Sequence, residues 1–296
     1  MLSVEVAGLK LENPVALASG ILGSKKSSLV EIAKFAGAVV TKSVGIEKRE
    51  GYKNPCVINQ KCGVINAVGL ASPGAKVFSE ELKEISIKKP LIVSLFAPNP
   101  ENFALLVDYF PFASAFELNL SCPHAKKLGM SIGVDEKAVE SCVKAVKDAT
   151  DKPVFAKLTP NVTDITKIGL AAEKGGADAV VAVNTLKAIS IDIYSKKAVL
   201  SNIVGGISGK AIKSIALRCV WDLYEVLDIP IIGCGGISNW IDVLEFIMAG
   251  ASFVQIGSAF YNSLRTIEGI VKSLEDYLYS KNERVKDLIG VAHGGV

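Results

Sequence analysis

Short apolar runs rich in β-branched residues recur along this chain, each closing on or near a polar residue or glycine and usually followed by a segment of helical period. The runs are Val15 to Ser19, Ala38 to Lys42, Leu91 to Phe96, Ala115 to Asn119, Val154 to Leu158, Ala179 to Asn184, Ile229 to Gly233 and Ala251 to Ser258. Strands that are apolar on both sides of the pleat belong to a parallel sheet covered on both faces, not to a half-wet hairpin. About eight strand–helix units in a chain of 296 residues predict an α/β fold closed as a (β/α)8 TIM barrel, in preference to an open doubly wound sheet.

Helices fit between the runs. Asp135 to Ala149 opens on acids and carries lysines late, as the helix dipole favours. Ile165 to Lys174 stops at Gly175-Gly176, and Asn239 to Met248 begins on a capping residue and ends near Gly250. Val4 to Leu11 reads as an N-terminal β-hairpin turning at Ala7-Gly8, placed to close the bottom of the barrel. Three connections are too long to be simple links: Ser43 to about Lys89, Ser121 to Gly133, and Thr185 to Gly206. All three follow the carboxyl end of a strand, so they are expected as long top-face loops, where barrel enzymes keep their chemistry. No repeat, linker or low-complexity tract divides the chain, so residues 1–296 are expected to form a single domain.

The bulk composition excludes several classes. Half the residues are apolar and the formal charge is only +3, with basic residues scattered among acids, so nucleic acid is not an expected partner. No apolar run approaches membrane-spanning length and no secretory signal opens the chain, so a cytoplasmic protein is expected. Two histidines and six cysteines without paired ligand spacing argue against a metal site. Cys142, Cys219 and Cys234 sit in apolar or helical runs and read as packing residues.

The strand ends carry the chemistry. Ser19, Lys42, Ser94, Asn119, Lys157, Asn184, Gly233 and Ser258 close the eight runs or lie near their ends. A buried strand has little reason to end in lysine unless the charge meets an anion or a polar ligand. Two such lysines with asparagines between them describe a pocket for something planar, polar and partly anionic. Gly233 to Ser238 precedes a helix start, and Gln255 to Ser258 follows on the last strand; loops in these places bind phosphate in barrels. Gly205 to Gly209 adds a third glycine patch. Cys122 differs from the other cysteines, because it lies just past a strand end in a polar loop, between Ser121 and Pro123. There it could serve as nucleophile, metal ligand or general base, and His124 is close enough to perturb it.

Asn119-Leu120-Ser121-Cys122-Pro123 resembles the active-site loop of class 1 dihydroorotate dehydrogenases, in which the cysteine is the base. The resemblance runs through nearly the whole chain. Asn13-Pro14-Val15 with Ala18-Ser19-Gly20, Lys42-Ser43, Asn66-Ala67-Val68-Gly69-Leu70, Lys157 to Asn161, Asn184-Thr185, Gly205 to Gly209, Gly235-Gly236 and Gly257-Ser258 match in order. It implies an FMN enzyme that oxidises dihydroorotate to orotate in pyrimidine biosynthesis, with Cys122 catalytic. By the same resemblance Ser19, Lys42, Ser43, Ser94, Asn119, Lys157, Val183, Gly209, Gly235, Gly236, Gly257 and Ser258 would hold FMN. Lys42, Asn66, Ala67, Val68, Gly69, Leu70, Asn119, Asn184 and Thr185 would hold the substrate.

Two residues depart from the family pattern. His124 stands where asparagine usually follows Cys-Pro, and Ser94 stands where NAD-linked members often carry an asparagine. The stretch from Lys126 to Asp135 is closest to members that pair with an electron-transfer subunit. That resemblance implies a homodimer or a heterotetramer, with FAD and an iron–sulfur cluster on the partner only. Other readings stay open at this point: an FMN barrel acting on a different dihydropyrimidine, a cofactor-free lyase using Lys157 as a Schiff-base amine, or a non-catalytic binding subunit.

Overall fold

A computed structural model of the chain describes residues 1–121, 132–261 and 263–295, so Cys122 and His124 lie outside the described residues. Eight parallel strands close on themselves: β1 (Val15–Leu17), β2 (Ala38–Val40), β3 (Leu91–Leu95), β4 (Ala115–Asn119), β5 (Val154–Lys157), β6 (Ala179–Ala182), β7 (Ile231–Cys234) and β8 (Ala251–Ile256). Neighbours in the ring are neighbours in sequence, and β8 returns to β1 with Val254 opposite Val15. The expected (β/α)8 barrel is therefore the observed one.

The apolar runs explain the closure. Every residue of β1, β2 and β6 is buried, so neither face of these strands meets water, and helices must cover the outside. Those helices present apolar faces at helical spacing. In Glu136–Ala149 the buried residues are Val139, Cys142, Val143 and Val146, and Asp135 caps the start by accepting from the Ala138 N–H at 2.9 Å. Burial pushes the Cys142 thiol up to about 12, with Glu101 adding to the shift, so this cysteine is inert packing as expected. Helix Ile165–Lys174 ends at Gly175, and Gly176 takes φ +92°. The N-terminal hairpin pairs Val4–Val6 with Leu9–Leu11 through Ala7 and Gly8, both at positive φ, and packs against β8.

The long connections differ from simple loops. Those after β2 and β6 combine into a four-stranded antiparallel sheet, in the order Leu186–Ile189, Val204–Ser208, Gly63–Asn66, Val57–Gln60. The glycine patch at Gly205 to Gly209 is thus mostly strand, with only Gly209 past its end at φ +91°. Its glycines serve close approach. A Cβ on Gly206 would lie 2.1 Å from the Thr185 hydroxyl, and one on Gly205 would lie 2.6 Å from the Asn66 carbonyl. Ile65, Ala67 and Leu200 form a small core of their own within this region.

Phe253 of β8 is fully buried and opposite Ile232 of β7. Phe253→Ala should destabilise the chain by about 3–5 kcal/mol, read as a lower urea midpoint with an unchanged m-value.

Candidate active site

A row of polar side chains crosses the carboxyl ends of the barrel strands. Ser43, three residues past β2 and buried, is its hub. Its hydroxyl lies 3.2 Å from that of Ser19 and 2.9 Å from that of Ser94, and it accepts from Asn119 Nδ2 at 3.2 Å. Asn119 Oδ1 in turn accepts from Asn184 Nδ2 at 3.2 Å, and Asn184 Oδ1 accepts from the Thr185 N–H at 2.8 Å. Five expected residues, from five different strands or the turns that follow them, therefore share one hydrogen-bonded row, with Thr185 attached. Ser94 is not at the rim but inside β3, with no exposure.

The antiparallel sheet brings the Asn66 segment to the same side. Asn66 lies opposite Gly206, which pairs with Lys187 in the strand that follows Thr185. Beyond Asn66, the Tyr52 N–H donates to the Val68 carbonyl at 3.0 Å and Arg49 Nε donates to the Gly69 carbonyl at 2.7 Å. Gly69 and Leu70 both take positive φ, which fixes a tight turn after Ala67. This segment is held through its carbonyls, by a backbone N–H and by the Arg49 side chain.

Lys42 lines a cavity of about 220 Å³ with Ser43, Ser72 and Phe78. Burial holds its ammonium below the ordinary lysine range, and among the described residues no carboxylate pairs with it. An anionic ligand would relieve that cost. Lys157, at the end of β5, is in the opposite situation. Its Nζ donates to Gln255 Oε1 at 2.8 Å and lies 3.4 Å from Glu117 Oε1, while Gln255 Nε2 donates to Glu117 Oε2 at 2.7 Å. Burial alone would lower Lys157, but the Cys234 sulfur and the Glu117 carboxylate outweigh it, and the lysine is held above its ordinary value. Burial also raises the Cys234 thiol, with Lys157 pulling the other way.

The glycine-rich loops frame a second cavity, of about 340 Å³, lined by Gly209, Gly236 and Ser258 among others. Gly236 takes φ +80°, and a Cβ there would lie 2.7 Å from the Lys213 Cα. No turn or loop backbone hydrogen bond among the described residues uses the N–H of Gly209, Gly236 or Ser258. The helix after β7 does not offer its N-terminus as expected. Asn239 accepts from the Ile241 and Asp242 N–H groups, and Asp242 accepts from the Ser238 and Asn239 N–H groups, so a carboxylate of the chain already occupies that position. The N–H groups left without such a partner here are those of the glycines and Ser258 instead. Val183 is buried behind this region, its N–H donating to the Cys234 carbonyl, and Gly235 and Gly257 lie in the two strand-end loops.

A family model described as dihydroorotate dehydrogenase matches residues 1–278. The chain belongs to the dihydroorotate dehydrogenase family. Among its relatives, the protein of Archaeoglobus fulgidus named dihydroorotate dehydrogenase B (NAD(+)), catalytic subunit, is 52% identical over 296 residues, covering 99% of each chain. The protein of Pyrococcus furiosus with the same name is 55% identical over 298 residues, and that of Thermococcus kodakarensis 52% identical over 295, each alignment covering 98% of both chains. The family expected from the motifs is the one found, and with it an oxidoreductase. Three residues beside Lys157 escaped the sequence reading: Glu117, Gln255 and Cys234. Cys234 was expected as mere packing, yet it faces Lys157. The signal was available in part, since Glu117 and Gln255 are lone polar residues inside apolar strands.

The Lys42 charge should cost stability. Below its folded pKa both folded and unfolded forms hold the proton and the desolvation cost is complete; the cost fades as pH rises towards 10.5. Lys42→Met should accordingly be more stable than the parent at pH 7, by about 0.5–2 kcal/mol, with the gap closing in alkaline melts.

Proposed function

We propose that this chain oxidises dihydroorotate to orotate, with FMN as its cofactor and Cys122 as its base. The observation that carries the reading is the partly buried Lys42, without a carboxylate partner among the described residues, beside the Ser43–Asn119–Asn184 row. Orotate joins a carboxylate to a ring of amide donors and acceptors, and lysine with asparagines supplies the complementary set. Asn66, Ala67, Val68, Gly69, Leu70 and Thr185 would complete the substrate wall. The names of the family relatives agree with this substrate.

The residues present suit FMN. The 340 Å³ cavity between the Gly209, Gly236 and Ser258 loops has N–H groups with no turn or loop backbone acceptor among the described residues, which suits a phosphate group. Gly235 and Gly257 would belong to the same cradle. Ser19, Lys42, Ser43, Ser94, Asn119, Lys157 and Val183 would hold the ring system across the strand ends. When bound, FMN would supply the hydride acceptor for C6 of the substrate. Lys42 would fix the carboxylate, and the two asparagine amides would set the ring plane. A thiolate at Cys122 would remove the C5 proton, leaving the C5–C6 double bond of orotate. Lys157, paired with Glu117, would present a positive charge to the reduced cofactor. That ion pair speaks against a Schiff-base role, which needs a neutral amine.

Residues 1–296 would act as one FMN-binding barrel domain, assembled as a homodimer or as a heterotetramer with an electron-transfer subunit that carries FAD and an iron–sulfur cluster. The relatives' names, catalytic subunit and NAD(+), support such a partner and acceptor. A cytoplasmic location accords with five free thiols among the described cysteines and with no described helix long and apolar enough to cross a membrane.

Cys122→Ala should bind FMN normally, yet slow anaerobic flavin reduction by dihydroorotate by roughly 10²–10⁴-fold at neutral pH. Near-normal reduction would remove Cys122 as the base. A purified chain without flavin absorbance would overturn the redox reading altogether.

A further inference from the structure

The Lys157 cluster is built from four barrel strands: Lys157 from β5, Glu117 from β4, Gln255 from β8 and Cys234 from β7. Glu117 has no exposure and Lys157 has 5%. An ion pair at this depth is seldom kept for stability, because well-packed apolar residues of similar volume serve as well or better. Opposite Glu117 the neighbouring strands carry Ser94 and Phe155, neither of them charged.

The bonding pattern is directional. Gln255 works as an adaptor: its amide oxygen takes an N–H from Lys157, and its amide nitrogen gives one to Glu117. Both Glu117 oxygens are thereby used, one towards each partner. The Lys157–Glu117 separation of 3.4 Å is an ion pair rather than a tight hydrogen bond. The ammonium is neutralised without being captured. Its remaining direction faces the Cys234 sulfur, a weak acceptor that a better one displaces. Among the described residues, the charged or titratable groups facing Lys157 are Glu117 and Cys234, with Gln255 neutral between them.

We propose that Glu117, steadied by Gln255, is the positioning residue that keeps Lys157 a permanent cation, and that this fixed charge sets how readily bound FMN is reduced. The inference rests on the proposed FMN reading for its effect, but the charge pairing is a property of the chain itself. Removing Glu117 leaves a buried ammonium with, among the described residues, only the Cys234 sulfur and the neutral Gln255 beside it. Lys157 then loses its proton within the working pH range, and the stabilisation of reduced flavin is lost with it.

The test is the isosteric Glu117→Gln in the FMN holoenzyme, read as the flavin midpoint potential against pH. Near pH 9 the ratio of reduced to oxidised flavin at a fixed poise should fall about tenfold or more below wild type, since Lys157 is neutral. Near pH 6, where Lys157 recharges without a counter-ion, the ratio should return to the wild-type value or exceed it. Lys157→Met should lie below wild type at every pH. A Glu117 that only supports the fold would give a lower melting temperature and a pH-independent offset, and that result overturns the proposal.

The second measurement needs no variant. The Lys157 Cε signal of the full-length wild type, followed by NMR, should not titrate below about pH 10. Titration below about pH 9 overturns the proposal even if E117Q fails to fold. A chain that binds no FMN defeats the cofactor reading, yet its Lys157 titration still decides whether Glu117 holds the charge.

Discussion

Closure of eight parallel strands leaves no sheet edge and no wet face, and the rest of the molecule is arranged around that constraint. Polar side chains have two places to go. They can gather where the strands end, as Ser19, Ser43, Asn119 and Asn184 do, or they can be matched in charge and hydrogen bonding inside the barrel, as Lys157, Glu117 and Gln255 are. The concentration of chemistry at one end follows from how little polarity the remainder of the barrel tolerates.

The antiparallel sheet over that end solves a separate problem. Asn66 and Thr185 lie on connections more than a hundred residues apart, and side-chain contacts between two loops of that length would leave both loosely placed. Pairing Gly63–Asn66 with Val204–Ser208, and that strand with Leu186–Ile189, fixes them through backbone ladders. The close approach depends on Gly205 and Gly206, since a side chain at either would collide with Asn66 or Thr185. The wall that would face a substrate is therefore held by backbone, while the barrel rim opposite it is held by side chains.

Most of the barrel could be read from the sequence, because a strand buried on both faces announces itself as an apolar run and because Asp135, Gly175 and Asn239 mark helix ends through local chemistry. Ser19, Asn119 and Asn184 were legible because a polar residue closing such a run has few other uses, whereas Ser43, the hub of the row, was implied only by the family resemblance. What escaped depended on pairing across the chain. Glu117 and Gln255 are 138 residues apart, and each looks like an isolated interruption of an apolar strand until the two are seen to share a bond. The top sheet escaped likewise, since glycine-rich strands carry weak local signal and their partners lie far away in sequence. The helix after β7 taught a different lesson. Its Asn-x-x-Asp start is a capping signature, and a helix that satisfies its own first turn has less to offer a phosphate.

The two lysines at the strand ends illustrate how one residue type is given two behaviours by its neighbours alone. Both are withdrawn from water, which disfavours their charge. Lys157 has a buried carboxylate beside it that favours its charge. Lys42 has none among the described residues, so its charge is costly until an anion arrives. On the proposed reading this division is what oxidation of a carboxylate substrate requires. A fixed cation suits a cofactor that stays in place and changes charge during turnover. A destabilised cation suits a ligand that must bind and leave, because the binding energy comes from relieving a cost already present in the free protein, and the site favours an anionic ring over a neutral one of the same shape.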